Sequence, residues 1–404
     1  MLRSSGFSLL KRYGALNRMV DQSDILAFLT GIRRRKCIIF GAGPAAHEFL
    51  DRIPIPIAFA VDNDHQRWGQ KIRNIEIRAP SALRHCASDD FVVIIASSAV
   101  EPISEQVAEL GFKLWDDVLV SPFVDHATTF RGPKKLLTSC FGKAGGLYLI
   151  DLETKEVTRV FTGSCRGLVK HQETYLVAIE EKGLVKFDPT FTPISETVID
   201  PSMRLHGLCF NEGSDSFLAT ESGTGSIGIY DGASLKLIDR HYFGKNHSAP
   251  SDQHYINDIT IHEGHVFVCV FSLNGVWRQD IWNDGAIVEL DRNMTSIQKV
   301  VVHGLAQPHS MHFDENQLYF CNSMDFQVRL GDRLILQLNG YTRGLAGYGS
   351  TLFVGQSRVR RLTRFQDRFS AISLDTGVNV CDKFAKTYSF IPVPAEALFD
   401  IVVI

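Results

Sequence analysis

The chain has 404 residues, 45% hydrophobic and 22% charged, with a formal net charge of −3. That length suits two domains or one large repeat architecture, and the composition is that of an ordinary globular protein. The balanced charge excludes the broad basic footprint of a nucleic-acid binder, and no run of roughly 18 or more uncharged apolar residues offers a membrane span.

Residues 1–34 begin with a basic stretch that lacks the continuous apolar core and cleavage site of a secretory signal. They are read as an N-terminal helical segment, with the arginines at 33–35 a solvated helix end. The eight cysteines, from Cys37 to Cys381, form no CxxC pair, and most lie in apolar strand-like runs. They read as buried thiols in a reducing, cytoplasmic setting.

Residues 35–122 are expected to form an α/β domain. The stretch "KCIIFGAGPAAHEFL" from Lys36 is a buried strand, a glycine turn and an apolar helix, with the spacing G-x-G-x-x-A at Gly41, Gly43 and Ala46. The glycines permit a tight turn and close approach of a phosphate, and Ala46 lets the helix lie near the strand. The next strand, "IAFAVD", ends at Asp62, where a carboxylate can accept from ribose hydroxyls. "FVVIIASS" and "EPISEQVAELGF" continue the alternation that predicts a Rossmann-like parallel sheet. The stretch "VDNDHQRWGQKIRNIEIRAPSAL" resembles the small Rossmann-like modules of sugar-nucleotide modifying enzymes, sugar O-acyltransferases and some methyltransferases. On that resemblance Gly41, Gly43, Ala46, Asp62, Asn63, Ala96 and Ser97 bind NAD(P) or a nucleotide sugar. The alternative is a docking platform that has lost its ligand.

After a linker at 123–134, residues 135–404 change character. Helical periodicity gives way to short strands separated by Gly, Asp, Asn and Thr turns. The motifs "CRGLVKH", "LHGLCF", "YINDITI", "PHSMHF" and "TRGLAGY" recur at separations of roughly 35 to 50 residues, the size of a four-stranded propeller blade. In the last unit the strands are read as "RGLAGYG", "TLFVGQS", "SAISLD" and "KTYSF". Residues 135–161 supply three strands without an inner one, and "EALFDIVVI" supplies one strand without a blade. Together they complete an all-β six-bladed propeller closed by the C-terminal strand, which removes exposed sheet edges. These motifs, with "LAQPHSMHF", "CNSMDFQV" and "LFVGQSRVR", resemble a bacterial propeller family of unknown function over residues 134–404.

Equivalent inner-strand positions are Arg166, His206, Asn257, His309, Arg343 and Phe399, expected to ring one channel mouth. His206, Asn257 and His309 could hold a divalent transition metal. Arg166 and Arg343 could clamp a carboxylate or phosphate, and with His206 and His309 they form the candidate catalytic set. Glu180, Glu221, His254 and Asp258 are candidates to assist. Structural histidines, and arginines paired with carboxylates such as Asp400, are the plain alternative. His171 and His312 read as packing or surface groups, and "QSRVRRLTRF" as a loop or partner face. The preferred function is an enzyme acting on a sugar or small acid, its partner a small-molecule sugar or nucleotide-linked ligand. The alternatives are a glycan- or protein-binding propeller and an NAD(P)-dependent oxidoreductase.

Overall fold

The computed structural model describes residues 32, 35–113, 116–124, 134–244, 252–279, 281–314, 316–383 and 388–404. The expectations for residues 1–31, for Arg33 and Arg34, and for linker residues 125–133 lie outside these. The chain divides into two compact units, 1–130 and 131–404.

In the first unit, apolar strands alternate with short connections: β1 (Lys36–Phe40), α1 (Pro44–Arg52), β2 (Ile57–Val61), β3 (Lys71–Ile72), β4 (Ile75–Arg78), β5 (Phe91–Ile95), α2 (Val100–Ala108) and β6 (Val118–Val120). They form one sheet of order β3-β4-β2-β1-β5-β6. Every pairing is parallel except β3 with β4. Phe49 of α1 is wholly buried in one cluster with Ile39 and Ile94 of the sheet. The expected alternation of strand and helix holds only in part. The crossover from β2 to β4 carries a single 3-10 turn at His65–Arg67 and the β3–β4 hairpin, with no α-helix. A parallel-sheet domain is therefore present, with a mixed edge in place of a fully doubly wound sheet.

The second unit is a ring of six four-stranded antiparallel blades. Their innermost strands are Cys165–His171, Leu205–Asn211, Ile256–His262, Pro308–Asp314, Tyr341–Tyr348 and Ala397–Val403, and each lies beside the next around the ring. The sixth is the closing strand. Ala397–Val403 pairs with Lys135–Phe141, which continues to Gly146–Asp151 and Val157–Thr162. In the fifth blade the third strand is Gly377–Asp382, not "SAISLD" at 370–375. Residues 358–376 are instead an insertion between the second and third strands.

One local device repeats. The register of every inner strand slips within residues 165–168, 205–208, 256–258, 309–311, 342–345 and 398–400. A bulge sets two residues against one, bends the strand and re-aims a side chain. Two of the positions left over are Gly207 and Gly344, where a Cβ would lie 2.4 Å from Asp258 Oδ1 and 2.8 Å from Leu398 Cδ2.

The bulges also stitch neighbouring blades. Asp258 accepts from Met311 N–H at 3.0 Å, Ser310 Oγ accepts from Gly344 N–H at 2.8 Å, and Asp400 accepts from Leu168 N–H at 3.2 Å. Hydroxyls supply the reverse connection. Thr220 donates to the Asn257 carbonyl at 3.2 Å and Ser357 to that of Leu398 at 2.8 Å. Two of these bonds, at Gly344 and Asn257, satisfy backbone groups of residues that the register skips.

Candidate functional site

Because the bulges occur at the same level in all six blades, Arg166, His206, Asn257, His309, Arg343 and Phe399 belong to one tier of the ring. Arg204, Tyr255 and Gln307, each two residues before a tier residue, have φ of +50°, +51° and +51°. Non-glycine residues held there are strained, and such strain concentrates at binding and catalytic sites.

The tier is largely sealed. His206, Asn257 and His309 are 5%, 1% and 1% exposed. Tyr255 and Phe399 lie 5.3 and 5.4 Å from the His206 ring, and Phe271 and Tyr341 lie 5.1 and 5.5 Å from that of His309. Ser222 gives its hydroxyl proton to the Ile256 carbonyl, so it accepts from His206 Nδ1–H at 2.9 Å. That assigns the basic lone pair of His206 to Nε2. In His309, Nε2 accepts from Arg343 Nη2 at 2.7 Å, and Nδ1–H faces the Gln307 carbonyl at 2.9 Å and Ser323 Oγ at 2.8 Å. Burial first, then the arginine charges, holds both histidines well below the usual imidazole range and neutral. Both polar atoms of the Asn257 side chain, and Arg343 Nε, are buried with no hydrogen-bond partner among the described residues.

Arg166 is committed differently. Its Nη2 donates to Glu180 at 2.7 Å, its guanidinium lies over Phe141 at 5.1 Å, and burial pulls its pKa down. The assisting residues are committed as well. Glu221 is fully buried and takes bonds from Arg240, Tyr230 and Ser226 at 2.6 to 3.0 Å, so it is a structural anchor. His254 Nδ1 lies 2.8 Å from the Ser272 carbonyl. Asp258 stitches blades. His171 stacks on Phe210 at 3.6 Å, a packing role.

Above the tier opens a cavity of about 540 Å³. Of the six tier residues only Arg343 lines it. Among the described residues six arginines face it, Arg278, Arg343, Arg358, Arg360, Arg361 and Arg364, and no carboxylate does. Tyr255, Trp277, Tyr341 and Phe365 supply aromatic walls. Arg278 is paired with Asp252 at 2.9 Å. Among the described residues Arg343, Arg358, Arg360 and Arg361 make no ion pair. The insertion that carries most of these cations is rooted in apolar packing. Phe365 and Phe369 stack on Phe326 at 5.3 and 4.2 Å, Trp282 meets Phe365 edge-on, and Arg368 lies 3.8 Å over Trp282. The segment "QSRVRRLTRF" is thus a wall of the mouth. Four arginines within 358–364 without an acidic residue were the signal for it in the sequence.

A metal on His206, Asn257 and His309 would need Nε2 of both rings. One of these already accepts from a guanidinium, and the Arg166 and Arg343 charges that keep His206 neutral would act equally against a metal cation. Among the described residues no group of three or more His, Cys, Asp or Glu is placed to hold one. As arranged, the set favours an anion over a metal.

The first unit has its own cavity, about 560 Å³, lined by Gly41, Gly43, Asp62, Asn63, Ala96 and Ser97, while Ala46 is buried. Gly41 has φ +104°, and a Cβ there would lie 2.8 Å from the Ala96 carbonyl, whereas the Cβ direction at Gly43 is open. Asp62 holds the loop by accepting from Ala42 N–H at 2.7 Å and Asp64 N–H at 2.8 Å. One amide that could meet a phosphate is therefore spent on a carboxylate. The Asn63 and Gln106 amides pair with each other at 3.0 and 3.1 Å.

Among the described residues no helix is long and apolar enough to cross a membrane. No curated protein matches the chain. Solved structures similar to it include a protein of unknown function from Bacteroides caccae (11% identity, 67% of this chain and 98% of that one, TM-score 0.47). Others are a luciferin-regenerating enzyme (11%, 58% and 78%, TM-score 0.43) and the calcium-binding protein regucalcin from Agrobacterium tumefaciens (13%, 58% and 76%, TM-score 0.43). Residues 33–114 match the family described as C2185-like, N-terminal, so the expected kinship with nucleotide-sugar modules is not supported. Residues 245–404 match a domain of unknown function, DUF4915, in agreement with the propeller resemblance read from the inner-strand motifs.

Proposed function

We propose that the propeller mouth receives a small anionic ring compound, of the sugar-acid or sugar-phosphate class. The observation that carries this is the lining of the mouth cavity, which among the described residues has six arginines and no carboxylate and is walled by aromatic rings. Guanidinium groups match carboxylate and phosphate geometry, and aromatic faces suit the apolar face of a ring. In this reading Arg343 touches the ligand, His309 is the positioning residue that holds its Nη2, and Arg166 adds charge from beneath. The buried, unpartnered Asn257 amide is a hydrogen-bonding group for a ligand that reaches the tier. An enzymatic version draws on the neutral His206, whose Nε2 takes a proton only from a ligand group that passes Arg343 into the sealed tier. At the first-unit cavity, the lone pairs left on Asp62 and the open side of Gly43 favour a ribose-bearing ligand.

Titration calorimetry with galacturonate, glucose 1-phosphate and the matching neutral sugars tests the mouth. The acids should bind, the neutral sugars should bind at least about tenfold more weakly, and Arg343→Gln should weaken the acids by about tenfold or more. Equal binding of acid and neutral sugars would remove the reading.

A further inference from the structure

The arginine segment has a second face. A separate cavity of about 650 Å³ is lined by Arg358, Arg360 and Arg361, which also line the mouth, together with Thr363, Leu374 and Glu396. The two compartments differ in chemistry. Among the described residues the mouth has four aromatic walls, whereas the outer cavity has none and a single carboxylate, Glu396. The wall between them carries three exposed guanidinium groups with no ion pair among the described residues. It is also held in place: Val359 and Phe365 are buried against Met324 and Phe326, and Arg360 lies 4.8 Å over Phe141. Such a wall keeps its cations close at little further ordering cost, and an anion bridging them would offset their mutual repulsion. The arginine at the back of the mouth, Arg343, points the same way, because its buried Nε has no partner.

We infer that the ligand spans both compartments, placing its ring in the aromatic mouth and a second phosphate-type anion beyond residues 358–361. The ligand class is then a ring compound bearing two phosphate groups, either a nucleoside diphosphate or a sugar bisphosphate. This rests on the anionic reading of the mouth and narrows it.

The test is calorimetry on the full chain with glucose 1-phosphate, glucose 1,6-bisphosphate and uridine diphosphate. The wild type is compared with the Arg360→Gln/Arg361→Gln double variant, whose altered side chains are exposed and whose folding is checked by circular dichroism. At least one of the two compounds that bear two phosphate groups should bind about tenfold more tightly than glucose 1-phosphate and lose that advantage in the double variant. Glucose 1-phosphate, whose single phosphate also faces these mouth arginines, should weaken by a smaller factor than the favoured two-phosphate compound. Preference for uridine diphosphate would identify the nucleoside source and preference for the bisphosphate the sugar source. Tight binding that the double variant leaves unchanged would overturn the inference, because the ligand would then sit elsewhere. So would equal affinity for one and two phosphates, although the anionic mouth would stand. If none of the three binds, both ideas fail together.

Discussion

His309 shows how much one side chain settles at this mouth. Its Nε2 is the acceptor that fixes Arg343, and it can fill that role only while neutral. The sign of its pH effect follows. Its pKa in the folded state lies below the unfolded value, so its contribution to stability is complete above about pH 6.5 and is lost as pH falls toward the folded value. His206 acts in the same direction. Each can remove up to about 1.4 kcal/mol per pH unit in that window. His309→Gln should be less stable at pH 7, by about 1–3 kcal/mol, and its urea midpoint should fall less steeply than that of the wild type between pH 6.5 and 5. Equal slopes would mean that the ring is already solvated. At this scale the sequence was informative about placement and silent about commitment. That Arg166, His206, Asn257, His309 and Arg343 share one tier follows from their repeat. Glu180 capturing Arg166, or Arg343 capturing His309, depends on rotamers and burial that no spacing records.

Strands and insertions differed in legibility for a physical reason. The inner strands announce themselves because each must pass the same bulge, which demands a small or short polar residue beside an aliphatic one in every blade. The insertion at 358–376 obeys no such repeat. Its place over the mouth is set by Phe365 and Phe369 finding Phe326 and Trp282, partners about 40 to 85 residues earlier in the chain. The same insertion displaced the third strand of the fifth blade from 370–375 to Gly377–Asp382. Phe365→Ala should therefore cost roughly 3 kcal/mol in urea unfolding and also weaken binding of acids at the mouth, since the arginine wall would lose its root. A loss of stability with full affinity would show that the wall is placed by its cation–π contacts instead.

Across the whole molecule, opposition within the ring has its own energetics. Asp258 and Asp400 belong to the third and sixth blades, which face each other in a ring of six, and each is the stitch to the blade that follows. Burial raises both, Asp258 to about 6 and Asp400 well above the usual carboxylate range, with the Asp258 charge adding to the effect at Asp400. A carboxylate whose folded pKa is raised gives stability at low pH that is lost as pH rises through the folded value. Asp400→Asn keeps a carbonyl acceptor for Leu168 N–H and removes the charge. It should be as stable as the wild type or more so at pH 8, and should compare about 1–2 kcal/mol less favourably at pH 5, read from urea midpoints at the two pH values. The opposite ordering would mean that the carboxylate is paired with a cation.

The closing strand gives the ring a consequence in time. Its partners at 135–162 are made early, yet the inner strand they need, Ala397–Val403, leaves the ribosome only after the other five inner strands. Until then the nascent chain holds five inner strands, three orphaned outer ones and an open sheet edge, and Phe399 is missing from the tier that packs against His206. Competence to bind at the mouth thus arrives in one step, once that strand is made. A chain that stops before residue 397 would be a chaperone client and not a weaker version of the closed ring.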